Sequence, residues 1–552
     1  MIEDLWYKNA IIYSLDLETF MDGNGDGTGD FEGLCSKLDY LDAMGVDVIW
    51  LAPFQPTPNK DNGYDISDYY GVDKRHGSSG DFVEFMQQAA KRGIRVIIDL
   101  VINHTSDQHP WFREARKSRD NPFRDWYIWS DKRPKDWNKG MVFPGVQKAT
   151  WTRDEKTGAY YHHRFYQFQP DLNMNNPRVR AEIRKIIGYW LQQGVSGFRV
   201  DAVPFILETT TPGGSSPELR FEYLEEMRNF IQWRQGDAVM LGEANVLPRD
   251  SVRYFGEKGG GIHLMFNFFV NQYLFYALAT ADIQPLMDAL EATRINIPGA
   301  QWAHFLRNHD ELDLGRLSKE QREAVFQRFG PEERMHLYDR GLRRRLSPML
   351  GGRALTELAY SLMFSLPGTP VIRYGDEIGM GDDLSLKERD AVRTPMHWSN
   401  ERNGGFSTAR RTVHPVISEG PYGYQHINVA DQRRDPDSLF SWMTRIIRLR
   451  KECPEIGWGE FQIIPSGHPQ VLVMHYYWKE KSLLAVHNFS EHPQEAKLRL
   501  RAGNCPLQDL ITNVAEAPDA KGVHHISLDA YGYRWLRAGN LGHLFKRRGK
   551  AS

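Results

Sequence analysis

Eight short apolar runs, separated by stretches with helical periodicity, constrain the fold of this 552-residue chain more than any other feature. They lie at residues 11–15, 46–51, 94–101, 197–201, 239–242, 263–268, 303–306 and 370–374. Short apolar runs alternating with amphipathic helices are the pattern of repeated βα units. Eight units with no second sheet pattern among them predict an α/β fold, a closed (β/α)8 barrel rather than an open doubly wound sheet. The open sheet also lacks its glycine fingerprint, because the glycine-rich segment GNGDGTGD does not match GxGxxG.

The spacing is uneven twice. After the third run comes a Trp- and Tyr-rich stretch without a βα unit, an insertion at residues 104–177. Residues 313–352 form a second excursion, with helix signals at Ser318 (Gln321 three residues on) and Pro331, which fits a lid as well as a surface helix pair. Leu439, Trp442, Met443, Ile446 and Ile447 recur at helical steps and mark a last amphipathic helix. Beyond it the period turns to alternation in VLVMHYYW, SLLAVHNF and HHISL, which predicts an antiparallel β domain. The expected divisions are a barrel from 1–103 and 178–456, an insertion at 104–177 and a C-terminal β domain at 457–552. The basic tail FKRRGKAS reads as a solvated terminus.

A formal charge of −2 gives no electrostatic case for nucleic acid or an anionic membrane. The apolar stretch 262–281 is broken by His263, Asn267, Asn271 and Gln272, so a buried strand followed by a helix is expected there, not a membrane span. Cys35, Cys453 and Cys505 are too few for a disulfide scaffold. The segment MIEDLWYKNA carries acids where a signal peptide would be basic and then apolar, so a cytoplasmic protein is expected. The sequon Asn103-His104-Thr105 would not be used there. A homo-oligomer is left open.

Three acids close three of the runs: Asp201 in GFRVDAV, Glu243 in VMLGEAN and Asp310 in FLRNHDE. Acids placed after parallel strands converge at one end of a barrel. Glycosyl hydrolysis or transfer needs such a set. One carboxylate attacks the anomeric carbon, one protonates the leaving oxygen, and others hold the flattened ring. Arg199 and Asp201 point the same way from a strand, and a guanidinium beside a carboxylate keeps it ionised. Each acid alone also fits an ion pair at a strand end or a helix cap; the conjunction is what is specific.

That conjunction resembles the α-amylase family, glycoside hydrolase family 13. Its four segments stand in order as DLVINH (99–104), GFRVDAV (197–203), LGEAN (241–245) and FLRNHD (305–310), and the resemblance covers essentially the whole chain. It implies a TIM barrel with an insertion after strand three and a C-terminal β-sandwich. It makes Asp201 the nucleophile of a covalent β-glucosyl intermediate, Glu243 the general acid/base and Asp310 the grip on the ring hydroxyls. His104, His309 and Arg199 complete that subsite, with Asp99 orienting Arg199. A retaining mechanism implies about 5–5.5 Å between the carboxyls of Asp201 and Glu243, and an environment that keeps Glu243 the more protonated of the two.

The segment DNGYDISDYY resembles the branch acting on small α-glucosides. There Tyr64 stacks on the sugar, Asp61 and Arg393 (in AVRTPMHW) hold the non-reducing end so that action is exo, and Phe143, Phe165 and Gln169 line the pocket. Within it, VINHTSDQHPWF, GLRRRLSPML and SLPGTPVIRYGDEIGMGDD are similar to the trehalose synthase branch, implying maltose–trehalose isomerisation. Hydrolysis or glucosyl transfer by an α-glucosidase is the alternative, and a non-catalytic sugar-binding homologue is disfavoured by the intact acids. One departure stands in IYSLDLETF, where Ser14 and Asp16 replace the Gln and His usual in that branch.

Asp22, Asn24, Asp26, Thr28 and Asp30 alternate with glycines as a hard-cation loop, although Gly33 stands where an EF-hand has its bidentate Glu. The resemblance implies structural Ca2+ held by the four side chains and the Thr28 carbonyl. It suggests a second site at Asn103, Asp171 and Glu208, where Phe205 replaces a His found in many relatives. No organic cofactor is expected.

Overall fold

The computed structural model describes residues 3–208, 218–500 and 505–538. Eight parallel strands close into a barrel: β1 (Ile12–Leu15), β2 (Val48–Leu51), β3 (Arg95–Leu100), β4 (Gly197–Val200), β5 (Val239–Gly242), β6 (Leu264–Phe266), β7 (Gln301–Phe305) and β8 (Thr369–Arg373). Neighbours in the chain are neighbours in the sheet, and the Ile12↔Val371 register between β1 and β8 closes the ring. All eight apolar runs of the sequence are these strands, so the (β/α)8 expectation holds.

Side-chain alternation divides the barrel interior by depth. Its lower layers are filled by Ile12, Val48, Trp50, Ile97, Val239, Leu241, Leu264, Phe266, Ala303, Phe305 and Val371. The next inward positions toward the strand ends are charged: Asp99 on β3, Arg199 on β4 followed by Asp201, and Glu243 just after β5. The apolar plug below excludes water from this polar upper layer, and that exclusion sets its electrostatics.

Residues 104–177 carry a small three-stranded sheet centred on Tyr160–His162. In the second excursion Ser318 caps the helix Lys319–Phe329 in a capping box with Gln321. Pro331 starts no α-helix, contrary to the sequence signal. Glu332 after it is extended (φ −101°, ψ 137°) and only the 3-10 turn Glu333–Met335 follows, beside the short strands His336–Leu337 and Gly341–Leu342. The excursion thus carries the helix Lys319–Phe329, a small sheet and the short helix Leu346–Leu350, with no helix at Pro331. The stretch 262–281 is the strand Leu264–Phe266 followed by the helix Phe268–Thr280, and no helix among the described residues is long and apolar enough to cross a membrane.

After the helix Leu439–Glu452 the chain forms a six-stranded and a two-stranded antiparallel sheet packed face to face. Val471, Val473, Leu484 and Val486 meet Ala496, Leu498, Ile526 and Leu528 between them. The segment FKRRGKAS lies outside the described residues.

Candidate active site

A cavity of about 460 Å3 opens at the carboxyl ends of the strands and is lined by Asp201, Glu243 and Asp310. One guanidinium organises the acids. Arg199 Nη1 donates to Asp99 Oδ1 (2.8 Å) and Asp201 Oδ1 (2.6 Å), and Nη2 lies 2.9 Å from Glu243 Oε2. A single planar group can span Asp201 and Glu243 only if the carboxyls are close. A retaining mechanism needs such a neighbouring pair, roughly 5–5.5 Å apart. Ala202, left-handed at φ 49° and ψ 40°, aims its N–H at Glu243 Oε2 (3.1 Å), a conformation that costs an L-residue about 1 kcal/mol.

Burial dominates the titration of the trio. It raises Asp201 to about 6 against the pull of Arg199, and it raises Glu243 to about 7. Asp99, also buried on Arg199, rises to about 6. Between these values Asp201 is ionised while Glu243 keeps its proton, the division of labour that a nucleophile and a general acid need.

Asp310 behaves oppositely. Burial alone would raise its carboxyl, but the Arg389 and Arg393 guanidiniums outweigh it and hold it well below the usual carboxylate range. Arg389 Nη1 (2.9 Å) and Arg393 Nη2 (3.0 Å) both donate to Asp310 Oδ1. Burial keeps His309 neutral, with its pKa lowered to about 3. Its Nε2 lies 2.8 Å from the Tyr64 hydroxyl, which itself donates to Asp99 Oδ2 (3.1 Å), so the imidazole carries its proton on Nε2. The rings of Tyr64 and His309 stack at 5.5 Å and 11°. His104 is buried and reaches the Tyr64 carbonyl (3.1 Å).

Asp61 and Arg393, expected to hold the non-reducing end together, do not touch each other. Arg393 donates Nε to the His309 carbonyl (2.8 Å) and lies beneath Asp310, making no bond to Asp61. Arg389 takes that place, with Nη2 on Asp61 Oδ1 at 2.7 Å, and bridges Asp61 to Asp310. Gln169, fully buried, donates to Asp61 Oδ2 (2.9 Å). Phe143 packs on Tyr166 (5.0 Å) and Tyr338 (4.8 Å) with the Arg389 guanidinium 4.8 Å above it, and Phe165 meets the His104 ring at 5.2 Å. This end of the cavity is therefore walled. Asp16, the departure just after β1, is buried in a bidentate pair with Arg373 (Nη1 at 3.0 Å), which together with Arg393 overcomes burial and lowers it to about 2.

The other end of the cavity carries residues that the sequence did not single out. Asn245 donates to Asp313 Oδ2 (3.0 Å) and its carbonyl accepts from Arg316 (2.6 Å). Arg340 donates to the Val142 carbonyl (2.9 Å), so the second excursion touches the insertion across the cavity mouth. Their signal was proximity to LGEAN and NHDE, too weak to separate them from ordinary loop polar residues.

In the glycine loop each side-chain oxygen turns back on the loop. Asp22 accepts from Gly25 (2.7 Å) and Gly27 (2.8 Å), Asn24 from Asp26 (2.9 Å), Asp26 from Thr28 (2.8 Å), and Asp30 from Gly33 (2.6 Å). The donors are all hard oxygens on one tight turn, which fits a hard cation. Among the described residues no three His, Cys, Asp or Glu side chains converge on one point, so such a cation would also need the Asn24 oxygen and the Thr28 carbonyl. The Asn103, Asp171 and Glu208 set does not fit one. Glu208 is paired with Arg164, and Asp171 is held by His162 (2.8 Å), the Asn103 amide (3.2 Å) and the Arg164 N–H (3.0 Å). The positive charge of that junction is already a side chain.

A family model, the catalytic domain of alpha amylase, matches residues 14–329 and 343–459, and a sucrose hydrolase-like C-terminal domain matches 481–537. A trehalose synthase of Thermus thermophilus is 40% identical over 539 residues, covering 96% of this chain and 55% of that longer protein. One from Pimelobacter sp. (strain R48) is 39% identical over 555 residues, covering 97% and 96%. Among solved structures, the trehalose-6-phosphate hydrolase of Bacillus licheniformis superposes with a TM-score of 0.79 at 28% identity, covering 97% of this chain and all of that one.

Proposed function

Because the chain belongs to the α-amylase family, we propose that it is a retaining, exo-acting enzyme on short α-glucosides, with maltose–trehalose isomerisation as its activity. The observation that carries this reading is the pairing of Asp201, Glu243 and Asp310 with a wall made by Asp61, Arg389, Gln169 and Phe143. The wall stops a chain beyond one glucosyl unit. Asp201, ionised on Arg199, attacks the anomeric carbon as the protonated Glu243 gives its proton to the glycosidic oxygen. Asp310, kept anionic by Arg389 and Arg393, accepts from ring hydroxyls as the sugar flattens. The released glucose remains in the cavity, turns, and offers its anomeric hydroxyl to Glu243, now the base. Attack on the glucosyl-Asp201 ester then gives the 1,1-linkage.

If water reaches the ester first, the same residues perform hydrolysis. The structural likeness to a trehalose-6-phosphate hydrolase favours this as the second reading. Following pure maltose, and separately trehalose, by NMR distinguishes them. Trehalose from maltose with little free glucose supports the isomerase, glucose alone the hydrolase, and no change in either sugar would sink both. The loop at Asp22, Asn24, Asp26, Thr28 and Asp30 would hold a structural Ca2+, which takes no part in these steps. The free thiols Cys35, Cys453 and Cys505 support a reducing, cytoplasmic setting.

A further inference from the structure

A second cleft, of about 430 Å3, lies on the outer wall of the barrel, where the loop after residue 292 and the outward face of β7 meet the C-terminal domain. It shares no lining residue with the catalytic cavity. Its floor is Trp302 and His304, and burial lowers the His304 pKa to about 4, so that floor is uncharged near neutrality. Its wall is Trp458, half-buried at the end of the short helix Glu455–Trp458 and backed by Trp478 at 6.3 Å and 29°. The wall is fixed: a Cβ on Gly457 would fall 1.8 Å from the Lys8 carbonyl, so the helix is clamped to the N-terminal segment.

The charges around the cleft cancel. Arg294 is held bidentate by Glu291 (2.5 and 2.7 Å), and Lys8, 5.4 Å over the Trp458 ring, faces a lining that includes Glu460. The side-chain amides of Asn296 and Gln462 make no hydrogen bond within the described protein. A rigid aromatic plane, free amides and little net charge in a volume within the usual ligand range suit a neutral polyhydroxylated ligand better than an anion or an apolar one. The cleft also shares a bank with a neighbouring groove. The bank Arg294–Ile297 is common to both, and the groove's opposite bank, Leu247 and Pro248, follows directly on Asn245 and Val246 of the catalytic cavity.

We infer that this cleft is a second carbohydrate site, which takes an α-glucan chain longer than the disaccharide of the active site, with one glucose unit against Trp458. The inference shares only its sugar class with the proposed activity. It is tested by calorimetric titration of maltoheptaose into the full-length D201N protein. Two binding sites are expected, one of which is lost or weakened at least tenfold when W458A is added. The doubly substituted N296A/Q462A protein, altered only at exposed positions, should weaken the same site without touching the folded seam. In the wild-type background W458A should leave maltose turnover within about twofold. A single site indifferent to both variants would overturn the inference while leaving the active-site reading intact. Loss of maltose turnover in wild type would strike that reading and not this one. A second site that W458A and N296A/Q462A both leave unchanged would place the glucan elsewhere and equally overturn it.

Discussion

Asp99, Asp201 and Glu243 lean on one guanidinium, and their titration follows from that sharing. Three carboxyls cannot all ionise beside a single buried positive charge, so the pair with the least compensation retains a proton. Turnover requires Asp201 charged, which is gained as pH rises through about 6, and Glu243 protonated, which is lost as pH rises through about 7. The expected kcat/KM profile is therefore a narrow bell with its maximum between those values, and a plateau extending above pH 9 would contradict the assignment. Arg389 supplies a second prediction. R389A leaves Asp61 and Asp310 each short of a cation at the walled end, so kcat/KM for maltose should fall about 100-fold or more, as misplaced substrates generally require. R389K should recover only part, because one ammonium cannot fork between two carboxylates. The catalytic acids were legible in the sequence because strand ends index them. Arg389 was not, since it sits four residues before Arg393 on a 3-10 turn whose first residue, Glu388, is left-handed (φ 42°). Arg389 lines the cavity and Arg393 does not, and no side-chain pattern in the sequence separates the two.

Elements repeat the lesson at larger size. The eight strands were legible because nearly every position is buried, so each reads as a short, mostly apolar run, while β7 begins earlier than its apolar run because it opens with the polar Gln301. Ser318 announced its helix through a capping box, whereas Pro331 carried the same kind of signal and failed because the next residue is extended. The glycine loop is an element whose shape the sequence dictates. Gly27 sits at φ 101° with the Arg411 carbonyl 2.2 Å from where a Cβ would be, so only glycine closes it. Its ligand is the part left to experiment. If the loop binds Ca2+, adding the ion to chelated protein should raise Tm, by an amount equivalent to about 2.7 kcal/mol at a hundredfold excess over Kd. Turnover per folded molecule should stay the same. A Tm indifferent to chelator and Ca2+ would leave the turn held by its own N–H donors alone.

The whole molecule is less divisible than its pattern suggests. Alternation in VLVMHYYW and SLLAVHNF marked a separate β domain, yet most positions in both segments are buried, because their central sheet is covered on two sides. Val471, Val473, Leu484 and Val486 face the small sheet. Leu472, Met474, Tyr476, Leu483 and Ala485 belong instead to the main core, continuous with Leu358, Leu362 and Ile446 of the barrel helices. Trp535 seals this seam, fully buried, with its indole N–H on the Ser361 hydroxyl (3.0 Å), and the Tyr476 hydroxyl donates to the Ser365 carbonyl. Two bodies that share one dry core cannot unfold separately without exposing it, so cooperativity should extend over both. Replacing Trp535 by Ala removes a large buried side chain at a cost of about 3–5 kcal/mol. If the seam is common property, W535A should lower one calorimetric transition as a unit, and the Trp signals of the barrel should melt with those of the sandwich. If the C-terminal domain were merely appended, the variant would instead split the trace, with an early sandwich transition followed by a barrel melting where it does in the wild type and still turning over maltose in between.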